Sequence, residues 1–103
     1  MTKMILTAAT AGLLLTLGAA PAQATGKMEC KVAEADRQPI ELLEQKLTAE
    51  GWQVRKSKVD GGCYEVYATD EQGRRIEAYF DPQTFEKLLV SQRGRELFRA
   101  EGR

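Results

Sequence analysis

The chain contains no histidine, and only two cysteines, three prolines and two serines, Ser57 and Ser91. Each scarcity excludes something. Without histidine the commonest general base is gone, and with it the usual nucleophile–base triads. Imidazole ligation of haem or zinc goes too. Ser57 stands between Lys56 and Lys58 on an expected strand. Neighbours on a strand point to opposite faces, so neither lysine is placed as its base. There is no glycine-rich phosphate loop, because Gly61-Gly62 reads as a hairpin turn. Charge of one sign is lacking as well: 15 basic residues balance 15 acidic ones, leaving no field to hold nucleic acid. Arg93, Arg95, Arg99 and Arg103 gather near the end, but Glu96 and Glu101 interleave with them, the pattern of a solvated segment. No catalytic residue, metal site or cofactor is expected.

Long apolar runs are confined to the start. Lys3 gives a short positive region, Ile5 to Ala20 is apolar, and Pro21-Ala22-Gln23-Ala24 supplies small residues for cleavage. This is the pattern of a secretory signal, residues 1–24, cut before Thr25. The run is shorter than the roughly 18–20 residues of a spanning helix, so no stable membrane anchor is expected after cleavage. No cysteine follows Leu17-Gly18-Ala19-Ala20 to carry a lipid. The expected location is periplasmic or secreted. In that oxidising setting an even pair of cysteines, Cys30 and Cys63, reads as one disulfide. On the loop-entropy account such a bridge is worth about 3–4 kcal/mol, a large share of the stability of a small domain. A redox role for the pair is the weaker reading, since the long separation is unlike a Cys-x-x-Cys motif.

The residues after the signal divide into an extended lead, 25–37, a folded domain, 38–90, and a charged C-terminal segment, 91–103. Gln38-Pro39 opens a helix, with Pro39 at the first position and Gln38 and Glu41 as a weak capping box. Ile40, Leu43 and Leu47 lie on one stripe, and Gly51 ends the helix as a left-handed cap. Strands follow over 52–59, 63–70 and 74–81. The Glu71-Gln72-Gly73 loop reads as a type I turn with a glycine bulge. It sets Tyr64 opposite Phe80, Val66 opposite Ala78 and Ala68 opposite Ile76 on one face. Glu65 lies opposite Tyr79, Tyr67 opposite Glu77 and Thr69 opposite Arg75 on the other. Gly73, in the bulge, is expected to matter more to folding than Gly61. In the first strand Trp52, Val54 and Val59 all suit the core but differ in parity, which a bulge at 55–57 reconciles. Leu88-Leu89-Val90 fits either a fourth strand or a helix starting at Pro82, with Leu97 and Phe98 available to extend it. The expected fold is α+β: one helix packed on a three- to four-stranded antiparallel sheet, a cystatin-like meander.

What remains for function is a surface. Glu65, Tyr67, Glu77 and Tyr79 form an aromatic–acidic patch on the face away from the helix, and surface tyrosines suit protein partners. Three stretches carry a family resemblance: Leu47-Thr48-Ala49-Glu50-Gly51-Trp52-Gln53-Val54, then Gly62-Cys63-Tyr64-Glu65-Val66-Tyr67-Ala68, then Asp70 through Pro82. They resemble the PepSY domain of secreted-peptidase propeptides and small bacterial envelope proteins. The closing Asp-Pro-x-Thr is followed by Phe85 where that family usually has glycine. The resemblance implies a non-catalytic module that binds or restrains an envelope protein: a peptidase, a sensor or a membrane cytochrome. No peptidase domain accompanies it here, so action in trans is expected. The alternative is a small-ligand or metal-binding protein using the acidic sheet face.

Overall fold

A computed structural model describes residues 27–103; the expected secretory signal and cleavage site lie outside the described residues. A 3₁₀ turn, Glu34–Asp36, leads into helix α1, Ile40–Ala49. Five strands follow: β1 Gln53–Asp60, β2 Cys63–Thr69, β3 Arg75–Phe80, β4 Lys87–Gln92 and β5 Arg95–Arg99. They form one antiparallel sheet in chain order, a plain meander. The helix-on-sheet class is as expected, but the sheet has five strands rather than three or four.

The helix forms because Leu43 and Leu47 share a stripe and are buried, each worth about 1.5–3 kcal/mol of apolar transfer. Gly51, at φ +95°, ends it, as the left-handed cap position requires. Its start differs from expectation. Pro39 is the N-cap, and no side chain caps the turn. Gln38 instead sends its side-chain amide to the Gln83 carbonyl at 2.6 Å and its backbone N–H to the Pro82 carbonyl, tying the helix entry to the β3–β4 loop. Tyr64 donates its hydroxyl to the Gln38 carbonyl at 2.5 Å.

The β2–β3 register matches the expected one at all six pairs, Tyr64–Phe80 through Thr69–Arg75. Its turn is closed by Gly73 N–H to Asp70 O and Asp70 N–H to Arg74 O. The bulge in β1 falls between Val54 and Lys56. It leaves Arg55 unpaired and brings Val54, Ser57 and Val59 to the helix side, opposite Ala68, Val66 and Tyr64. Val59 nevertheless remains 48 % exposed: its parity is right, but it lies at the edge of the sheet.

The C-terminal segment corrects the reading most. Leu88-Leu89-Val90 is strand, and β5 follows through a two-residue turn in which Arg93 and Gly94 have φ of 52° and 80°. Positive φ at both central residues is the type I′ hairpin, whose twist matches that of the strands. Arginine at the first position hides it, because the usual Asn-Gly or Asp-Gly pair is absent. A bulge between Val90 and Ser91 in the β4–β5 pairing breaks the alternation of β5. Phe85 has φ +67°. That left-handed conformation costs a side-chain-bearing residue roughly 1–2 kcal/mol, which is the physical reason a glycine would suit the position. Here the ring packs against the core and lies 6.5 Å from the Tyr64 ring. The loop is also held by Asp81, whose carboxylate accepts from the N–H groups of Gln83 and Thr84.

The sheet buries both faces. On the helix side Leu43, Leu47, Trp52, Tyr64, Val66, Ala68, Ile76, Ala78, Phe80 and Val90 form the main core, with Trp52 edge-on to Phe80 at 6.1 Å. On the other side the lead is not a free extension but a strap. Met28 and Cys30 pack with Cys63, Tyr79, Leu88, Leu89 and Ala100. Cys30 and Cys63 are joined by the expected disulfide, and Cys30 N–H donates to Gly61 O at 2.8 Å. The strap lies so close that a Cβ on Gly61 or Gly62 would run into the carbonyl oxygens of Met28 or Cys30. A Cβ on Gly73 would meet nothing within 4 Å. The expected order of the two glycines is therefore reversed: Gly61 is the more constrained.

Candidate functional site

The register brings Glu65, Tyr67, Glu77 and Tyr79 together, but not as an open patch. Glu65 is 1 % and Tyr79 2 % exposed. The strap covers them, which corrects the expectation of an exposed face. Cross-strand pairing sets Glu65 beside Tyr79 and Tyr67 beside Glu77. Tyr79 donates its hydroxyl to the Asp60 carboxylate at 3.0 Å, with Glu77 Oε2 at 3.5 Å. Lys27 on the strap meets Glu77 at 3.4 Å, and Lys58 meets Glu65 Oε1 at 3.6 Å. Tyr67 is half-buried, with the ammonium groups of Lys56 and Lys58 at 5.4 and 6.0 Å from its ring centre.

This network shifts its members in opposite directions. Burial, and then a hydrogen bond to Glu77, raises the pKa of Glu65. Glu77 is lowered, chiefly by that same hydrogen bond and further by Lys27, against its own burial. Burial and hydrogen bonding to Glu65 push Tyr67 up to about 12. Burial and the bond to Asp60 raise Tyr79 as well. The carboxylates and phenols thus pair largely with one another, with two half-exposed lysines at the margin, while Glu65 Oε1 is buried without a hydrogen-bond partner. Among the described residues no group of three or more His, Cys, Asp or Glu side chains is placed to hold a metal ion.

An uncovered concavity lies on the opposite face. The helix lies over the β1 side of the sheet, and beside it opens a groove of about 330 Å³, at the lower end of the roughly 300–1,000 Å³ typical of ligand pockets. Ile76, Phe80 and Val90 contribute buried apolar surface to it. Phe85, Leu97 and Phe98 add walls, and Phe98 is 41 % exposed. The rim is charged. Lys46 pairs with Glu50 at 2.6 Å and Arg74 with Asp70 at 2.8 Å. Burial alone would raise the Asp70 pKa, but hydrogen bonds from Arg74 and from the Gln72 N–H outweigh it and hold the carboxyl below its ordinary range. Lys87 stands over the Phe98 ring at 5.1 Å.

Sequence reasoning missed this site because it is assembled by β5. The one legible signal was Leu97-Phe98, an apolar pair in an otherwise charged tail.

A family model described as the peptidase propeptide and YPEB domain matches residues 7–89, ending within β4 and short of β5. No curated protein and no solved structure matches the chain.

Proposed function

The chain belongs to the peptidase propeptide and YPEB domain family, and from that premise we propose that it is an exported, non-catalytic domain that binds and modulates another envelope protein, with a peptidase as the partner class. The observation that carries this is the groove beside the helix: an apolar floor, an exposed aromatic wall at Phe98 and a charged rim, open to a partner. Protein interfaces centre on such apolar anchors within polar rims. The Cys30–Cys63 bridge and the N-terminal signal pattern support a periplasmic or secreted location. The acidic-face alternative is disfavoured by the burial of Glu65 beneath the strap.

The test is to add the oxidised protein to envelope peptidase preparations from the producing cell and measure proteolysis of casein. A saturable change in rate is expected, lost in Phe98→Asp and retained in Tyr67→Ala. No change in any peptidase fraction, or an equal effect of a folded Phe98→Asp variant, overturns the reading.

A further inference from the structure

The groove rim is not electrically closed. Lys46 and Arg74 each have a carboxylate of their own. Lys87 has only the Phe98 ring beneath it among the described residues. A lysine resting on an aromatic face keeps its charge while part of its shell is already apolar. A ligand that covers Phe98 also removes water from Lys87, so an ion pair formed there is screened less than one in open solvent. At the other end of the lining is Glu71, which disfavours a second negative group. Next to the groove runs a free sheet edge. β5 is last in the sheet and pairs only with β4, so one row of its N–H and C=O groups faces outward. Phe98 shares a face with Val90, its cross-strand partner, and Val90 belongs to the helix-side core. A strand laid on that edge therefore directs alternate side chains towards the groove.

Resting on the reading of this groove as a binding surface, we propose that it takes an internal, extended peptide strand that pairs along β5, places one large apolar side chain against Phe98 on the Val90 side of the groove, and sets an Asp or Glu carboxylate, two residues away on the same face, against Lys87. The spacing follows from strand geometry, in which residues i and i+2 share a face. The free edge favours a chain that runs through over a chain terminus. The opposite edge, β1, is less suited: it is bulged at Arg55 and flanked by Lys56 and Lys58, devices that discourage pairing. Ser57 there also bonds the Glu44 carboxylate on the helix.

The experiment is an amide NMR titration of the oxidised protein with end-blocked six-residue peptides. One carries Phe-x-Glu, one Phe-x-Gln, one Ala-x-Glu, and one ends in Phe with a free carboxylate. Phe-x-Glu is expected to shift the amides of Phe85, Lys87, Val90 and Phe98 and to bind at least fivefold tighter than Phe-x-Gln. Ala-x-Glu is expected to leave them unmoved. Lys87→Met should abolish the Glu-over-Gln preference while keeping the need for Phe, and its own spectrum reports whether it is folded. Absence of shifts at millimolar peptide, equal affinity for Glu and Gln, shifts on β1 or the strap, or tighter binding of the free-carboxylate peptide would each overturn the proposal. The proteolysis assay stands apart from this one. A peptidase effect that needs Phe98, in a protein whose groove ignores these peptides, defeats the strand inference alone. Peptide binding without any peptidase effect defeats only the peptidase reading.

Discussion

The two faces of the sheet solve the same problem with different means. On the helix side, burial is supplied by a helix whose apolar stripe can be read from its spacing. That helix covers one half of the sheet and leaves the β3–β5 half as a groove. On the other side, burial is supplied by an irregular strap anchored by the disulfide and a backbone hydrogen bond. It has no periodicity to read, yet it covers its layer thoroughly enough to bury Glu65 and Tyr79. A small domain with a thin core gains from covering both faces. The difference teaches that a polar–aromatic sheet face need not be a binding face. Here the mixed face is interior, and the apolar face is the one with an opening.

The comparison breaks first at Tyr79. If the strap side is a true second core, Tyr79→Ala costs about 3–5 kcal/mol, as Phe80→Ala does on the helix side. Urea unfolding of the two variants checks this, and a loss below about 1 kcal/mol for Tyr79→Ala would reopen the strap side as surface. Next is the strap's anchor. The double variant Cys30→Ala with Cys63→Ala is expected to lose about 3–4 kcal/mol. Gly61→Ala should also melt earlier than Gly73→Ala, because only the former pushes backbone against backbone. Equal melting temperatures would show that the strap moves aside at no cost.

Acid titration sharpens the contrast further. Asp70, at the groove rim, has a lowered folded pKa. Its contribution is therefore present above the unfolded value of about 3.9 and lost as pH falls through the folded value. Asp70→Ala should cost about 1–3 kcal/mol at pH 7, and the gap from wild type should narrow as pH falls through the lowered pKa of the folded state. Glu65, under the strap, has a raised folded pKa, so its contribution has the opposite sense. It is complete below the unfolded value of about 4.3 and lost as pH rises through the folded one. Glu65→Gln should gain on wild type in thermal melts as pH rises from the unfolded value through the raised folded one; a constant difference would show that burial does not hold this carboxyl protonated. The smallest effect is expected at Phe98→Ser, below about 1 kcal/mol, since a half-exposed side chain at a groove edge contributes little to folding. A cost as large as that of Phe80→Ala would make the groove wall part of the core.

How far the sequence reached follows the same division. The helix stripe, the Asp70–Arg74 turn and the β2–β3 register were legible because each rests on local chemistry: 3.6-residue spacing, a glycine at a left-handed position, two-residue alternation. The disulfide was legible from cysteine count and the signal pattern. Alternation assigned Glu65 and Tyr79 to the face away from the helix correctly. It could not say what covers that face, because the cover comes from residues more than thirty positions away with no pattern of their own. β5 escaped for a different reason. Its turn places an arginine where asparagine or aspartate usually sits, and its bulge spoils the alternation that marks a strand. Phe85 shows the converse: a side chain at a left-handed position leaves the turn in place, with its ring seated against Tyr64.

The guanidinium of Arg103 reaches the carbonyl of Glu29 at 3.3 Å, so the first and last parts of the described chain meet on the strap side. Ends that adjoin make a domain suitable for circular permutation and for insertion into another chain. Joining residue 103 to residue 27 through a short flexible linker, with new ends cut at the exposed Arg93-Gly94 turn, should preserve the fold. Any label, tether or fused domain attached at residue 27 or residue 103 would depart from the strap side. The groove on the far side of the sheet would stay unobstructed, so a surface-immobilised form of this protein would present that groove outward.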